Sequence, residues 1–156
     1  MEDFSVTTRL TEKEYSKVVF AGLYRKPGIV IASILGVIII LSGLKIMPFY
    51  SDPSHLEIFI GLYFLLLPTI ILLRSLKQFR STPSFQDEII YTFNESGFIV
   101  QGPGFSGEMQ WGLIMKLQEI NKFLILYHSK AAGNYIDKTK LTSEQLQFIR
   151  SKVKVG

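Results

Sequence analysis

Two apolar stretches, GIVIASILGVIIILSGL (residues 28–44) and IFIGLYFLLLPTIILL (residues 58–73), decide the fold of this 156-residue chain. Neither contains a charged residue, and charged residues border both. A helix needs about 17–25 apolar residues to cross the ~30 Å hydrocarbon layer of a bilayer. The alternative, a buried hairpin in a soluble α-helical protein, is disfavoured because neither stretch carries a polar stripe. We therefore expect a transmembrane helical hairpin over residues 28–73, with spans at 28–47 and 56–73.

Basic residues cluster on one side of the two predicted spans. Because segments rich in Lys and Arg stay in the cytoplasm, both termini are expected there and the connector outside. The cluster accounts for most of the net charge of +4, so it favours an anionic lipid surface over nucleic acid as partner. It would also fix the topology without any lipid selectivity. The residues of this predicted membrane-surface site are Arg25, Lys26, Arg74, Lys77 and Arg80.

Small residues recur within the spans at a spacing that lets helix backbones approach closely. Gly28, Ala32 and Gly36 are four residues apart in the first span, and Gly61 lies in the second. Such a groove can pack the two helices of one hairpin or join two copies of the chain. Packing within the hairpin is favoured, and a homodimer through the spans is the alternative.

The sequence outside the spans predicts three further segments. Residues 1–27 begin with a strand that alternates Phe4, Val6 and Thr8, followed by an amphipathic helix. Residues 74–84 are expected to form a polar linker. Residues 85–156 predict six strands and a C-terminal helix, which together suggest a small antiparallel barrel or sandwich. The fold class is therefore an α+β membrane protein.

Local signals mark several turns and helix starts. Thr11 with Glu14 and Thr142 with Gln145 fit capping boxes at the beginnings of two helices. Residues 94–97 predict a turn in which Gly97 adopts a positive φ. The glycine-rich residues 102–107 predict a second, longer turn between strands.

The residues that could carry chemistry do not converge on a site. His55 has only Asp52, Glu57 and two serines near it in an exposed connector, and His128 ends a strand. The chain has no cysteine. Residues 102–107 precede a predicted strand, whereas a phosphate-binding loop opens a helix. Trp111 is expected in the core. No catalytic residue, metal or cofactor is predicted.

The order of motifs in the C-terminal segment resembles the YcxB-like family of small bacterial membrane proteins. The motifs are Tyr91-x-Phe93-x-x-x-Gly97, Glu108-Met-Gln-Trp111, Ile114-x-x-Leu117-x-Glu119, the strand from Leu124 to Tyr127, and Tyr135-Ile136-x-Lys138. The resemblance implies a pleckstrin-homology-like domain on a two-span anchor in the cytoplasmic membrane, without an established activity. Such a domain has seven strands, so the strand around Val6 is expected to supply the seventh. Leu113 stands where the family usually has an acid.

These observations predict a non-enzymatic, membrane-anchored binding or scaffold module that presents a small β-rich domain to a protein or lipid partner at the cytoplasmic face. Strand edges and the loops at residues 102–107 and 131–134 are the expected contact surfaces. The alternative is an immunity or inhibitor protein that neutralises a membrane-acting toxin, because that task needs surface and no catalytic group.

Overall fold

The computed structural model describes residues 3–44, 46, 55–82, 86–129 and 132–153. Its helices are α1 (Glu12–Tyr24), α2 (Pro27–Gly43), α3 (His55–Ser81) and α4 (Ser143–Lys152). Its strands are β1 (Phe4–Arg9), β2 (Glu88–Phe93), β3 (Gly97–Gly102), β4 (Phe105–Gln110), β5 (Lys116–Ile120), β6 (Phe123–Tyr127) and β7 (Gly133–Asp137). The predicted α+β class is confirmed.

The chain divides into two compact units. We name the described residues of 3–15 and 79–153 the β-domain, and those of 16–78 the helical unit. The β-domain is therefore discontinuous in sequence, because the helical unit is inserted between its first 13 described residues and the rest.

Two antiparallel sheets form the β-domain, in the orders β1-β2-β3-β4 and β5-β6-β7. They do not close into a barrel, so of the two predicted arrangements the barrel is wrong. β1 pairs with β2 over six residues, from Phe4 opposite Phe93 to Arg9 opposite Glu88. This register confirms that the N-terminal strand joins the C-terminal sheet. The edges of the two sheets also approach each other, since the Asp137 backbone N–H donates to Thr8 Oγ1 at 3.0 Å.

The core between the sheets is rich in aromatic rings. Phe93 and Phe98 are fully buried, with ring centroids 5.5 Å apart. Trp111 stacks on Phe93 at 6.0 Å and donates its indole N–H to the Asn94 carbonyl at 3.0 Å, which confirms its predicted core position. α4 covers this core through Ile149, which is 0% exposed. The Thr142–Gln145 capping box at its start is formed as predicted.

β6, the central strand of the three-stranded sheet, is buried on both faces, and this explains its unbroken apolar run. Leu124 and Leu126 belong to the core cluster, while Phe123 and Ile125 point to the other face and are also buried. Strands buried on both faces lose the usual apolar–polar alternation. Within the β-domain, Tyr15 contacts Tyr135 of this sheet at 6.1 Å between ring centroids and stacks on Phe79 at 4.8 Å.

Within the helical unit, α2 and α3 run antiparallel and touch at their glycines. A Cβ built on Gly36 would lie 2.8 Å from the Gly61 carbonyl oxygen, and farther along Ser42 Oγ donates to a Glu57 carboxylate oxygen at 3.3 Å. The outward faces of both helices are apolar. Their exposed large apolar side chains are Val30, Ile31, Ile34, Leu35, Val37, Ile38, Leu56, Phe59, Ile60, Leu62, Tyr63, Leu65, Leu66 and Leu73.

The helix boundaries differ from the predicted ones. α3 continues to Ser81, so most of the predicted linker at residues 74–84 is helical; no Gly or Pro interrupts the chain between Leu73 and Ser81. Of the described helices, α3 alone is long and apolar enough by itself to cross a membrane, and α1 with α2 passes the same test only as a pair bent by 80°. Of the connector predicted from Lys45 to Glu57, residues 45 and 47–54 lie outside the described residues.

Candidate membrane-surface and partner-binding sites

The predicted basic residues occupy different structural settings. Arg25 and Lys26 lie at the bend between α1 and α2, where Lys26 is the residue before the first turn of α2. Arg74 and Lys77 lie on α3, beyond its apolar stretch. Arg80, in the last turn of α3, belongs to the β-domain.

Arg80 is held in an ion pair that the sequence pattern did not suggest. Its Nε and Nη2 donate to the two carboxylate oxygens of Glu12 at 2.9 and 2.5 Å. This two-point geometry is the most specific one available to a guanidinium, and it lowers the pKa of the Glu12 carboxyl. Arg80 is thus paired with Glu12 in the first turn of α1. It is therefore a weaker candidate for lipid contact than the other four predicted membrane-surface residues.

The antiparallel alignment of α2 and α3 predicts that Lys26 and Arg74 lie at the same level. Gly36 lies against both Gly61 and Leu65. Extending the alignment back by about ten residues along α2 places Lys26 opposite residues 71–75 of α3. The alignment therefore predicts that basic residues far apart in the sequence lie at one end of this helix pair.

The predicted helix-packing residues divide into two groups. Gly36 and Gly61 face each other, and a Cβ on Gly61 would lie 2.7 Å from the Gly36 carbonyl oxygen. Gly28 has no atom within 4 Å of its built Cβ, and Ala32 is half-buried. Close approach thus occurs at one glycine pair, and Gly28 takes no part in it.

Within the β-domain, ion pairs join the start of α1 to the turn between β5 and β6 and to the end of β7. Lys122 Nζ lies 2.7 Å from Glu14 Oε1 and 3.1 Å from Asp137 Oδ2. Glu14 also accepts from the Thr11 backbone N–H at 3.1 Å and returns the contact through its own N–H, which forms the predicted capping box. Burial raises the pKa of Glu14, but the hydrogen bonds from Lys122 and Thr11 outweigh it and leave that pKa lowered.

Glu119 forms a second charged junction, between β5 and α4. Arg150 and Lys138 both contact its carboxylate, Lys138 at 3.0 Å. The hydrogen bonds from Arg150 and then Lys138 hold the pKa of Glu119 below its ordinary value. These acids fix helices to strands, which is a structural role.

The two sheets end in four edge strands, β1, β4, β5 and β7; because β1 and β7 meet at the Thr8–Asp137 hydrogen bond, β4 and β5 are the outer edges within the described part of the chain. The connector between them carries the most exposed apolar residues of the β-domain, Leu113 at 59% and Met115 at 61%. Edge strands offer unpaired backbone groups to an added strand. The predicted contact surface at strand edges therefore has a defined location here.

The two predicted contact loops differ from their expected extent. Residues 105–110 form β4, so the turn is only Pro103 and Gly104, and Gly104 has φ +80°. Residue 131 lies outside the described residues.

His55 begins α3 and His128 follows β6, both exposed. Among the described residues no group of three or more His, Asp or Glu could hold a metal ion.

Sequence reasoning missed the residues that join the chain's start to its later half. Glu14 was predicted as a capping residue, and Tyr15 lies in the predicted amphipathic helix. The partners of both residues lie far along the chain. No local spacing could reveal them. The missed residues are Glu12, Glu14, Tyr15, Phe79 and Lys122.

Together these features define an α+β protein with a discontinuous β-domain and an apolar helical unit. Residues 93–153 match the family model described as YcxB-like protein, which confirms the predicted resemblance for that stretch. The match covers less than half of the chain and runs from the end of β2 to just past α4. Neither a curated protein nor a solved structure shows significant similarity to the chain.

Proposed function

We propose that this protein is a non-enzymatic, membrane-anchored binding module that holds its β-domain at the cytoplasmic face of a bacterial inner membrane. One observation carries the proposal: β1 pairs with β2 over six residues although the whole helical unit separates them in sequence.

This pairing constrains the topology independently of the basic residues. If α2 and α3 both cross the bilayer, the chain before α2 and the chain after α3 emerge on the same side. β1 can reach β2 only when the number of crossings between them is even, and a two-span hairpin meets this condition. The Lys and Arg residues at the same ends then select the cytoplasm as that side.

The surface of the helical unit supports its placement in lipid. Most exposed large apolar side chains of the described chain lie on α2 and α3. Soluble proteins seldom expose so large a contiguous apolar surface. α2 has 17 residues, which gives about 26 Å at 1.5 Å per residue, close to the ~30 Å hydrocarbon layer once flanking residues are added. We therefore propose a two-span hairpin.

The β-domain supports a binding role. Four plus three antiparallel strands with one C-terminal helix agree with the pleckstrin-homology-like arrangement that the family resemblance implies, and we propose that fold here. The edge of β5, with exposed Leu113 and Met115 beside it, is the surface on which we expect a protein partner to add a strand or an apolar contact.

Three measurements test the proposal. Full-length protein should remain in membranes washed with alkaline carbonate, and a reporter at either terminus should be active only in the cytoplasm. Release by carbonate, or a reporter active outside, would refute the anchor. For the binding role, capture of a partner from solubilised membranes should fall when Leu113→Ser and Met115→Ser are combined, but not with Phe105→Ser on the other edge strand.

A further inference from the structure

We infer that Lys26, Arg74 and Lys77 form a site for the phosphodiester headgroup of an anionic lipid. This inference rests on the proposed membrane anchor and deepens it, because it selects three residues of the basic cluster and assigns them a ligand.

The first argument is position. Lys26 precedes α2, and extending the alignment set by the Gly36–Gly61 and Gly36–Leu65 contacts by ten residues places it opposite Arg74. Lys77 follows Arg74 by three residues on α3, which places it on the same face, about 4.5 Å farther along the axis. One phosphate group is small enough to be reached by long side chains from both helices at this level.

The second argument is availability. None of Lys26, Arg74 and Lys77 is buried, and none has an ion-pair partner among the residues that the structure describes. The other two cations of the cluster differ. Arg80 is bound to Glu12 through two hydrogen bonds, and Arg25 already has an interaction of its own.

The third argument is charge. α2 contains no acidic residue, and the acid of α3, Glu57, lies in its first turn at the opposite end. The end of the pair that carries Lys26 and Arg74 is thus positive without local compensation from either helix. Apolar residues up to Leu73 adjoin it directly. A cationic group bordering an apolar surface matches the phosphate and acyl chain of one lipid molecule.

The experiment uses the full chain, purified in a neutral detergent and offered phosphatidylglycerol or phosphatidylcholine, with retained lipid counted by native mass spectrometry. The parent should retain phosphatidylglycerol in preference to phosphatidylcholine. Each cation near an anionic surface contributes about 1 kcal/mol, or roughly fivefold in affinity. Lys26→Gln and Arg74→Gln should each weaken retention about fivefold, and the triple variant with Lys77→Gln should abolish the preference. Arg80→Gln is the matched control and should leave it unchanged.

Three results would overturn the inference: the triple variant retains the preference, Arg80→Gln reduces it as much as Arg74→Gln, or millimolar inorganic phosphate displaces the lipid. The last would indicate a site for free phosphate. The single variants keep the test informative if the triple variant does not fold, which far-UV circular dichroism would reveal. If carbonate releases the parent, the proposed anchor fails; if the parent stays in the membrane and the variants bind normally, only the lipid site fails.

Discussion

Replacing Gly36 with alanine should destabilise the packing of α2 on α3. The added Cβ would lie 2.8 Å from the Gly61 carbonyl oxygen and 2.9 Å from the Leu65 backbone nitrogen. Both atoms belong to backbone and cannot rotate away. Because ordinary contact begins at 3.4 Å, the helices must separate by about 0.6 Å, a gap that forfeits a quarter to a half of each neighbouring dispersion contact.

The expected cost is about 1–3 kcal/mol, the range for overpacking a well-packed contact. Gly28→Ala is the matched control, since its Cβ meets no atom within 4 Å. Within a helix, alanine is favoured over glycine by roughly 0.5–1 kcal/mol, so this variant should be neutral or slightly more stable. Gly61→Ala should repeat the effect of Gly36→Ala from the other helix.

The assay is unfolding of the full chain in mixed micelles with increasing SDS, followed by far-UV circular dichroism. The Gly36→Ala transition should shift to lower SDS than that of the parent, whereas the Gly28→Ala transition should not. Equal transitions for the two alanine variants would show that α2 and α3 do not meet at Gly36, and the alignment that places Lys26 beside Arg74 would lose its basis.

Three further outcomes follow from the β-domain. In isolated membranes treated with an oxidant such as oxidised glutathione, Ser5→Cys with Thr92→Cys should form an intramolecular disulfide, because the hydroxyl oxygens of these opposite residues are 2.8 Å apart. The disulfide is seen as a shift on a non-reducing gel that Ser5→Cys alone lacks, and dimers in its place would refute pairing within one chain. Phe98→Ala should cost about 3–5 kcal/mol of unfolding free energy, and Phe105→Ala, at a ring 39% exposed, far less; similar losses in chemical denaturation would contradict the assigned core. The pKa of Glu119 is lowered in the folded state, so its stabilising effect is present at neutral pH and is lost as the pH falls below about 4. Glu119→Gln should therefore reduce the loss of unfolding free energy at acidic pH. An unchanged loss at acidic pH would count against the ion-pair assignment.

Features that depend on neighbouring residues were predictable. Both capping boxes follow from a Thr and an acid or amide three positions later. The apolar run of β6 predicts a buried strand because consecutive apolar residues leave no solvent-facing side. The described residues of the C-terminal half form six strands, β2 to β7, as predicted, since turn residues separate them.

Features that depend on distant contacts were not predictable in this way. The polar composition of residues 74–84 predicts a linker, yet polar residues such as Lys77 and Gln78 are good helix formers, and Phe79 anchors the helix end beside Tyr15. The turn pattern predicts a positive φ at Gly97, and this prediction is wrong, because Gly104 is the positive-φ glycine among the described residues. Position 97 requires instead the absence of a side chain, since a Cβ there would lie 2.1 Å from the Met109 carbonyl oxygen.

The family match and the β-domain cover different residues, and the β-domain is the larger of the two. The matched stretch, residues 93–153, omits β1 and nearly all of β2. Without them, Phe93 would lose its stacking partner Phe4 at 5.1 Å, and β3 would become an edge strand. Val6 and Thr8, both almost fully buried, would also be missing from the interior. The first described residues are therefore as much a part of the β-domain as the strands that the family model matches, and any membrane hairpin between them must return the chain to the side from which it departed.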